Sequence, residues 1–323
     1  MTREVCSEGR RGSHRRPAGL GLLRASVLLA SVLAWLVLLS GCSAVKLAYD
    51  NADRLALWEA RDYIALERDQ RRWLRARLRV LLHWHRTQQL PAWARTLREL
   101  DLAVRDGISP DQLDQFYARA TLWGDELLEQ GLPTATELMT TLSAAQVDAL
   151  PGAFADNNAE LNEDYEGLEP DAQRAVWRDK VRDRLVDWIG ALTPEQEALL
   201  EAVSREMEPD NRAWIGYRER WQARLFELLE HRAEPELFAP AFRELLIQRE
   251  RWFTDEYAAV RVGNERAMRG FSGALLAGLT DAQVTKLSGR LASLADDFDA
   301  LAADARSAPP DPGPAPARPS SAR

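Results

Sequence analysis

The chain is poor in the residues that carry most active-site chemistry. Its 323 residues include two cysteines, four histidines and three lysines. Cys6 and Cys42 both lie near the N-terminus, so the body has neither a disulfide framework nor a thiolate metal cluster. His83 and His85 are two residues apart and point about 200° from each other on a helix. A helical zinc pair needs a four-residue spacing, so they read as a hydrogen-bonded or exposed pair. His231 stands alone. There is no Gly-x-Ser-x-Gly elbow and no phosphate-cradling glycine loop. The lysine shortage stands against 39 arginines and reads as genomic base composition. An excess of positive charge is also missing. The net charge of −8 excludes nucleic acid as a partner, because phosphate recognition wants a basic face.

What the chain does have is one apolar run of 15 residues, Ala25 to Leu39, preceded by Arg3, Arg10, Arg11, Arg15, Arg16 and Arg24. The run is shorter than the roughly 20 residues of a membrane span. A basic stretch, a short apolar stretch and small residues at its end make a secretory signal. It ends Leu39-Ser40-Gly41-Cys42, which resembles the lipobox of bacterial lipoproteins. That resemblance implies cleavage between Gly41 and Cys42, with a diacylglycerol and an N-acyl chain on Cys42. Ser43 in the next position implies the periplasmic face of the outer membrane. The alternative is an uncleaved signal anchor. Residues 1–41 carry six Arg and two Glu, so without them the net charge falls from −8 to −12. An acidic body gives no polybasic help to membrane binding, which leaves that work to the lipid.

Beyond Cys42 the pattern is helical throughout, with no alternating run joined by a hairpin turn. Val45 to Ile64 reads as a first helix, with Leu47, Leu55, Trp58, Asp62 and Tyr63 near one stripe that faces the core. A helix lying on a surface is the alternative. Glu67 to Gln89 reads as the second, ended by Pro91, which opens a third that runs to about Arg105. Four capping boxes follow: Ser109 with Gln112, Ser143 with Gln146, Thr193 with Gln196 and Thr280 with Gln283. Ile108, Leu142, Leu192 and Leu279 precede them as halves of hydrophobic staples. Their spacings of 34, 50 and 87 residues exclude a regular solenoid. Val284, Leu287, Leu291, Leu294, Phe298 and Leu301 form a coiled-coil-like seam.

The expected fold is all-α, an irregular multi-helix bundle of about nine to eleven amphipathic helices, elongated or compact. The expected organisation is a signal peptide over 1–41, a helical periplasmic domain over 42–306 and a disordered Pro/Ala-rich tail over 307–323. Ten tryptophans lie beyond the signal and read mostly as core. Asp156, Glu160, Glu163, Asp164, Glu166, Asp296, Asp297 and Asp299 read as solvated faces. The run from Asp156 lacks the glycine of a calcium loop.

Two groups of residues carry a family resemblance. The first is Tyr49-Asp50-Asn51-Ala52-Asp53-Arg54-Leu55 with Trp58 and Tyr63. The second is His83-Trp84-His85-Arg86, Leu90-Pro91, Asp187-Trp188-Ile189 and Leu192 to Gln196. Together they resemble the proteobacterial lipoprotein family of domain of unknown function 6279, from the lipobox to about Ala303. Asp50 departs from the Asn found there in relatives. The resemblance implies an all-helical envelope lipoprotein and brings no known activity. Leu192 to Gln196 and Leu279 to Gln283 also resemble the Leu-Thr-x-x-Gln motifs of periplasmic stress chaperones, although a capping box accounts for them. Lipase-specific foldases, also anchored and helical, are a similar parallel.

The function expected from these observations is non-enzymatic. It is a helical scaffold or chaperone-like protein, held to the membrane by its lipid and engaging an envelope protein. The alternative is a binding module for a lipid or other apolar ligand. No catalytic, metal or cofactor residue is assigned. An enzyme would need titratable groups converging in one cleft, for instance His85 with acids from another helix. Tyr49, Asn51, Trp58, Trp84 and His85 are the candidate interface residues, because they carry the family likeness at the membrane-proximal end.

Overall fold

The computed structural model describes residues 42–163 and 165–307. The expected signal, Gly41, the side chain of Cys42, Asp164 and the tail from residue 308 lie outside the described residues. Among the described residues there is no strand. The helices are α1 (Cys42–Asp50), α2 (Ala52–Ala60), α3 (Arg68–Trp84), α4 (Leu90–Asp106), α5 (Pro110–Thr140) and α6 (Ala144–Glu163). They continue with α7 (Pro170–Ile189), α8 (Pro194–Glu206), α9 (Asn211–Glu230), α10 (Pro235–Ile247), α11 (Asp255–Ala277) and α12 (Asp281–Ser307). A π turn, His85–Gln89, joins α3 to α4, and a 3₁₀ turn, Arg249–Trp252, follows α10. Counting α3, the π turn and α4 as one helix gives eleven. The chain is therefore the all-α multi-helix bundle its periodicity predicts.

The longest apposition is between α12 and α4. The predicted seam supplies it: Leu287, Leu291, Leu294, Phe298 and Leu301 are all buried. One core cluster sits toward the α1 end of this pair, with Val45, Tyr49, Leu90 and Phe298. Another sits toward the α8 and α11 end, with Leu200, Val203, Phe271 and Leu287. The third and largest lies among α5, α6, α9 and α10, around Phe154, Trp221, Leu229, Phe238 and Phe242.

All four predicted capping boxes form. In each, the Gln side chain accepts from the backbone N–H of the cap residue, at 2.9–3.0 Å. A fifth box, Glu67 with Gln70, was not foreseen. Four of the five do more than cap. Gln196 donates to Gln283 Oε1 at 2.8 Å, and Gln283 donates back to Gln196 Oε1 at 2.8 Å. Gln196 also donates to the Gly278 carbonyl and Gln283 to the Ala191 carbonyl, each in the loop before the other's helix. Gln70 and Gln146 repeat the arrangement, exchanging bonds of 3.2 and 2.8 Å and reaching the Thr141 and Ala65 carbonyls. Two pairs of helix starts are thus clasped by reciprocal buried amides, one in each half of the molecule. Ser109 and Gln112 form the one box of the five that stays at the surface.

Three local expectations are corrected. Pro91 does not end a helix. It has no N–H to donate, and the ladder skips a rung just before it: Leu90 N–H reaches His85 O, five residues back. Thr87 Oγ donates to the His83 carbonyl at 2.9 Å within the same stretch. The expected first helix is two, α1 and α2, ending at Ala60. It turns the other way round, although Tyr63 of the predicted stripe, in the turn after α2, is buried. Val45, Ala48, Tyr49 and Asp53 are buried, whereas Leu47, Leu55 and Trp58 are exposed. The deciding contact is Asp53, whose Oδ2 accepts from Arg75 Nε at 2.8 Å and Arg79 Nε at 3.0 Å. Burial alone would raise the Asp53 pKa, but the two guanidiniums outweigh it and hold the carboxyl below its ordinary range. Finally, Asp297 is buried rather than solvated, and Asn157 and Asn158, next to Asp156, are buried too. Burial pushes the Asp297 carboxyl upward, with Lys46 opposing and Asp296 adding to the effect. Of the ten tryptophans Trp73 and Trp221 are buried, Trp58 is exposed and the other seven are half-buried.

Candidate functional site

Three of the five predicted interface residues converge, but inside the protein. Tyr49 and His85 are buried, and their rings stack at 5.9 Å with the phenol oxygen 3.5 Å from Nδ1. Trp84 packs partly buried against the same cluster. Trp93 meets His85 edge-on at 5.2 Å and stacks on Trp123 at 5.0 Å. The π turn creates this cluster by directing both His85 and Gln89 inward. Gln89 donates to the Trp123 carbonyl and to Glu126. Burial, assisted by the adjacent Arg86, lowers the His85 pKa to about 3. The imidazole is therefore neutral across ordinary pH, and Tyr49, pushed well upward by burial, stays protonated. Tyr49 and His85 therefore lie in the core and offer no surface to a partner, whereas Trp84 stays partly exposed. Asn51 joins α1 to α2, donating to the Leu47 carbonyl and accepting from Arg54. Trp58 stands apart at the surface.

The feature that sequence reasoning did not locate is a cavity of about 290 Å³ in the largest core cluster. Its walls come from α5 (Gly124, Leu128, Gly131, Ala135), α6 (Leu150, Phe154), α9 (Trp221, Leu225) and α10 (Phe242, Leu246). Tyr63, Ile64 and Leu81 close one side. The volume is near the lower end of small-molecule pockets, about 300–1,000 Å³.

Two sequence features keep this space open. A Cβ at Gly124 would meet nothing within 4 Å, and one at Gly131 only Leu81 Cδ2 at 3.6 Å. The α5 wall is therefore backbone where a side chain would fill the void. Three of the four wall helices also carry an interior proline: Pro133 in α5, Pro151 in α6 and Pro240 in α10. Each proline removes a helical hydrogen bond and its ring crowds the preceding turn, which works against close packing. Those prolines and glycines are visible in the sequence and were the available signal.

Among the described residues one charged side chain lines the cavity. Arg249, from the 3₁₀ turn, pairs with Asp125 at 3.5 Å, and half of the Asp125 side chain is exposed. The cavity is thus apolar with a single cation where it approaches solvent.

A larger open cleft of about 850 Å³ lies beside Asn158, Asn162, Asn211 and Gln222. Its amides are engaged with one another and with the buried Arg218: Asn158 bridges Gln222 and Arg218, and Asn211 donates to Asn162. That is the wiring of a fold-stabilising network, whereas the walls of the smaller cavity are almost wholly apolar. Among the described residues no group of three or more His, Cys, Asp or Glu is placed to hold a metal ion. No helix among the described residues is long and apolar enough to cross a membrane.

Fold and site together define a class: an all-helical domain with an apolar cavity between four of its helices. The family described as "Family of unknown function (DUF6279)" matches residues 62–258, more than half of the chain, and the chain belongs to that family. The match includes His83 to Arg86, Pro91 and Leu192 to Gln196. It is narrower than the resemblance, which began at the lipobox; Tyr49, Asn51 and Trp58 fall before it. No curated protein and no solved structure matches the chain.

Proposed function

We propose that this is a non-enzymatic, lipid-anchored envelope protein whose helical body binds an amphiphile with an apolar chain. The observation that carries the reading is the cavity between α5, α6, α9 and α10, apolar except for Arg249. An acyl chain fits such walls, and an anionic head would meet the Arg249 guanidinium in place of Asp125. Anchoring through Cys42 at the periplasmic face of the outer membrane rests on the lipobox resemblance. It would hold the cavity near a supply of such molecules.

The test is extraction of the full-length protein purified from envelopes in a detergent without alkyl chains, followed by mass spectrometry. The reading expects an amphiphile in near-stoichiometric amount, beyond the acyl chains bound covalently to Cys42. It expects that amphiphile to be lost from Gly131→Leu, whose side chain would enter the cavity. Equal recovery from the variant, or none from either protein, overturns it.

The scaffold or chaperone-like reading, with an envelope protein as partner, comes second. What favours it is a set of exposed aliphatic side chains, Leu102, Leu122, Leu237 and Val262, spread over α4, α5, α10 and α11. Single exposed apolar residues are ordinary on any surface, so this support is weaker than that of a shaped cavity.

A further inference from the structure

The reversed face of the first helices has a use. Leu47, Leu55 and Trp58 are 65%, 42% and 48% exposed, and they stand on the side of α1 and α2 turned away from the body. The two helices are nearly one. Asn51 N–H reaches Leu47 O at 3.2 Å, and Leu55 N–H reaches Asn51 O at 2.9 Å, so the ladder runs through the junction. At 100° per residue the three apolar positions fall within about 80° of one another.

Arg54 and Arg61 are exposed on the same stretch, and the Arg61 guanidinium lies 5.6 Å from the Trp58 ring. An indole with arginines beside it is the composition of a membrane interface. The ring sits at headgroup depth and the long basic side chains reach phosphate. The acids of the stretch are partly withdrawn: Asp53 is buried and Glu59 is half-buried, while Asp50, though exposed, is neutralised by Arg86, and Asp62 stays exposed.

The chain itself says what covers this face. α1 begins at Cys42, three residues after the apolar run Ala25 to Leu39 ends. On the anchored reading, with lipid on Cys42 or with the run kept as an anchor, the bilayer would lie at the first turn of α1. About 19 residues at 1.5 Å each make a rod of roughly 28 Å leaving that point.

We propose that α1 and α2 lie flat on the bilayer, with Leu47, Leu55 and Trp58 inserted at the boundary between headgroups and acyl chains. Arg54 and Arg61 then contact lipid phosphates. This fixes the orientation of the whole body, because Val45, Ala48 and Tyr49 on the opposite face are packed into the core beside α12 and the π turn. The proposal rests on the anchored reading and is separable from it.

The experiment uses the full chain, processed in a bacterial envelope and reconstituted into phosphatidylethanolamine–phosphatidylglycerol vesicles. Nitroxide labels are placed singly through Leu47→Cys, Leu55→Cys and Trp58→Cys. Leu102→Cys and Val262→Cys serve as references, and the unsubstituted protein gives the background. Leu102 lies about 20 Å along α4 from the π turn, and α11 does not pack on α1 or α2. All five positions are exposed, so the labels leave the core intact. Relaxation by oxygen is compared with relaxation by an aqueous nickel complex on protein that floats with the vesicles.

The proposal expects the three test labels to be protected from nickel and relaxed by oxygen, at a depth of roughly 5–10 Å, with both references open to nickel. Nickel access equal to that of the references, on protein that floats, overturns the docked face and leaves the anchor standing. Protection from both relaxers means that protein rather than lipid covers the face, which also overturns it. Failure to float overturns the anchored reading and the proposal together.

Discussion

Gln196→Ala is expected to be among the most damaging single substitutions outside the apolar core. The side chain is 1% exposed and makes four hydrogen bonds. It accepts from Thr193 N–H at 3.0 Å, donates to Gly278 O at 3.0 Å and to Gln283 Oε1 at 2.8 Å, and accepts from Gln283 Nε2 at 2.8 Å. Losing the box bond costs about 1 kcal/mol. The others are worth about 0.5–1.5 kcal/mol each, and the stranded half of Gln283 adds about 1–3 kcal/mol because water does not reach it. Allowing for relaxation, the total is about 4 kcal/mol. At roughly 2–4 °C per kcal/mol for a chain of this size, the Tm falls by roughly 8–16 °C. Gln112→Ala is the internal control. The same box at the surface loses one bond that solvent replaces, at a cost of about 0.5–1 kcal/mol. The assay is thermal unfolding of Gln196→Ala, Gln283→Ala, the double variant and Gln112→Ala, followed by circular dichroism. The double variant should cost about 2 kcal/mol less than the sum of the singles, since each single already strands the other's amide. A Gln196→Ala cost within 0.5 kcal/mol of Gln112→Ala, or additive singles, would refute the clasp.

The second clasp should behave alike: Gln146→Ala should be several-fold costlier than Gln112→Ala in the same melts. His85 gives an acid-side signature. Its folded pKa of about 3 lies below the unfolded value near 6.5, so the unfolded chain takes up a proton first as pH falls. The stability lost reaches about 2 kcal/mol by pH 5, and His85→Gln should flatten the fall in denaturant midpoint between pH 7 and pH 5. Glu59 acts oppositely: burial first, then Asp62 and Glu160, raise its pKa from 4.5 to about 7, so its contribution is full near pH 4, is lost as pH rises to about 7 and levels off above that. Glu59→Gln should shrink the Tm difference between pH 5 and pH 8, and an unchanged difference would count against that burial. Asp53→Ala should cost about 2 kcal/mol, because it frees α2 from Arg75 and Arg79; a change under 0.5 kcal/mol would remove Asp53 from its deciding role.

Sequence alone located what depends on neighbours in the chain. A capping box is complete within four residues, so Ser109, Ser143, Thr193 and Thr280 could be read directly, as could the 3-4 seam of α12. The pairing of Gln196 with Gln283 could not, because the two are 87 residues apart and their sequence signal is already explained by capping. The first helix shows the limit of periodicity. Both of its faces carry apolar residues, and the choice between them falls to Asp53 meeting Arg75 and Arg79. The π turn before Pro91 was hidden for a related reason. Proline ends a helix when the freed carbonyl is left to solvent, but here the interior contacts of His85 and Gln89 keep the ladder going with a skipped rung. The family resemblance marked Tyr49, Trp84 and His85, and they do come together, with Tyr49 and His85 in the core and Trp84 half-buried at its edge. The cavity needed seven separate segments to be brought together, yet its wall glycines and interior prolines were already in the sequence.

The measurement that reaches the central claim most directly is photo-crosslinking with a fatty acid carrying a diazirine in its chain, followed by peptide mapping of the intact protein. The account predicts adducts on α5 between Gly124 and Ala135 and on Phe154, Trp221 or Leu246, competed by unlabelled fatty acid and weakened by Arg249→Ala. Adducts confined to exposed residues such as Leu102 or Val262, or labelling that excess fatty acid does not compete, would contradict it.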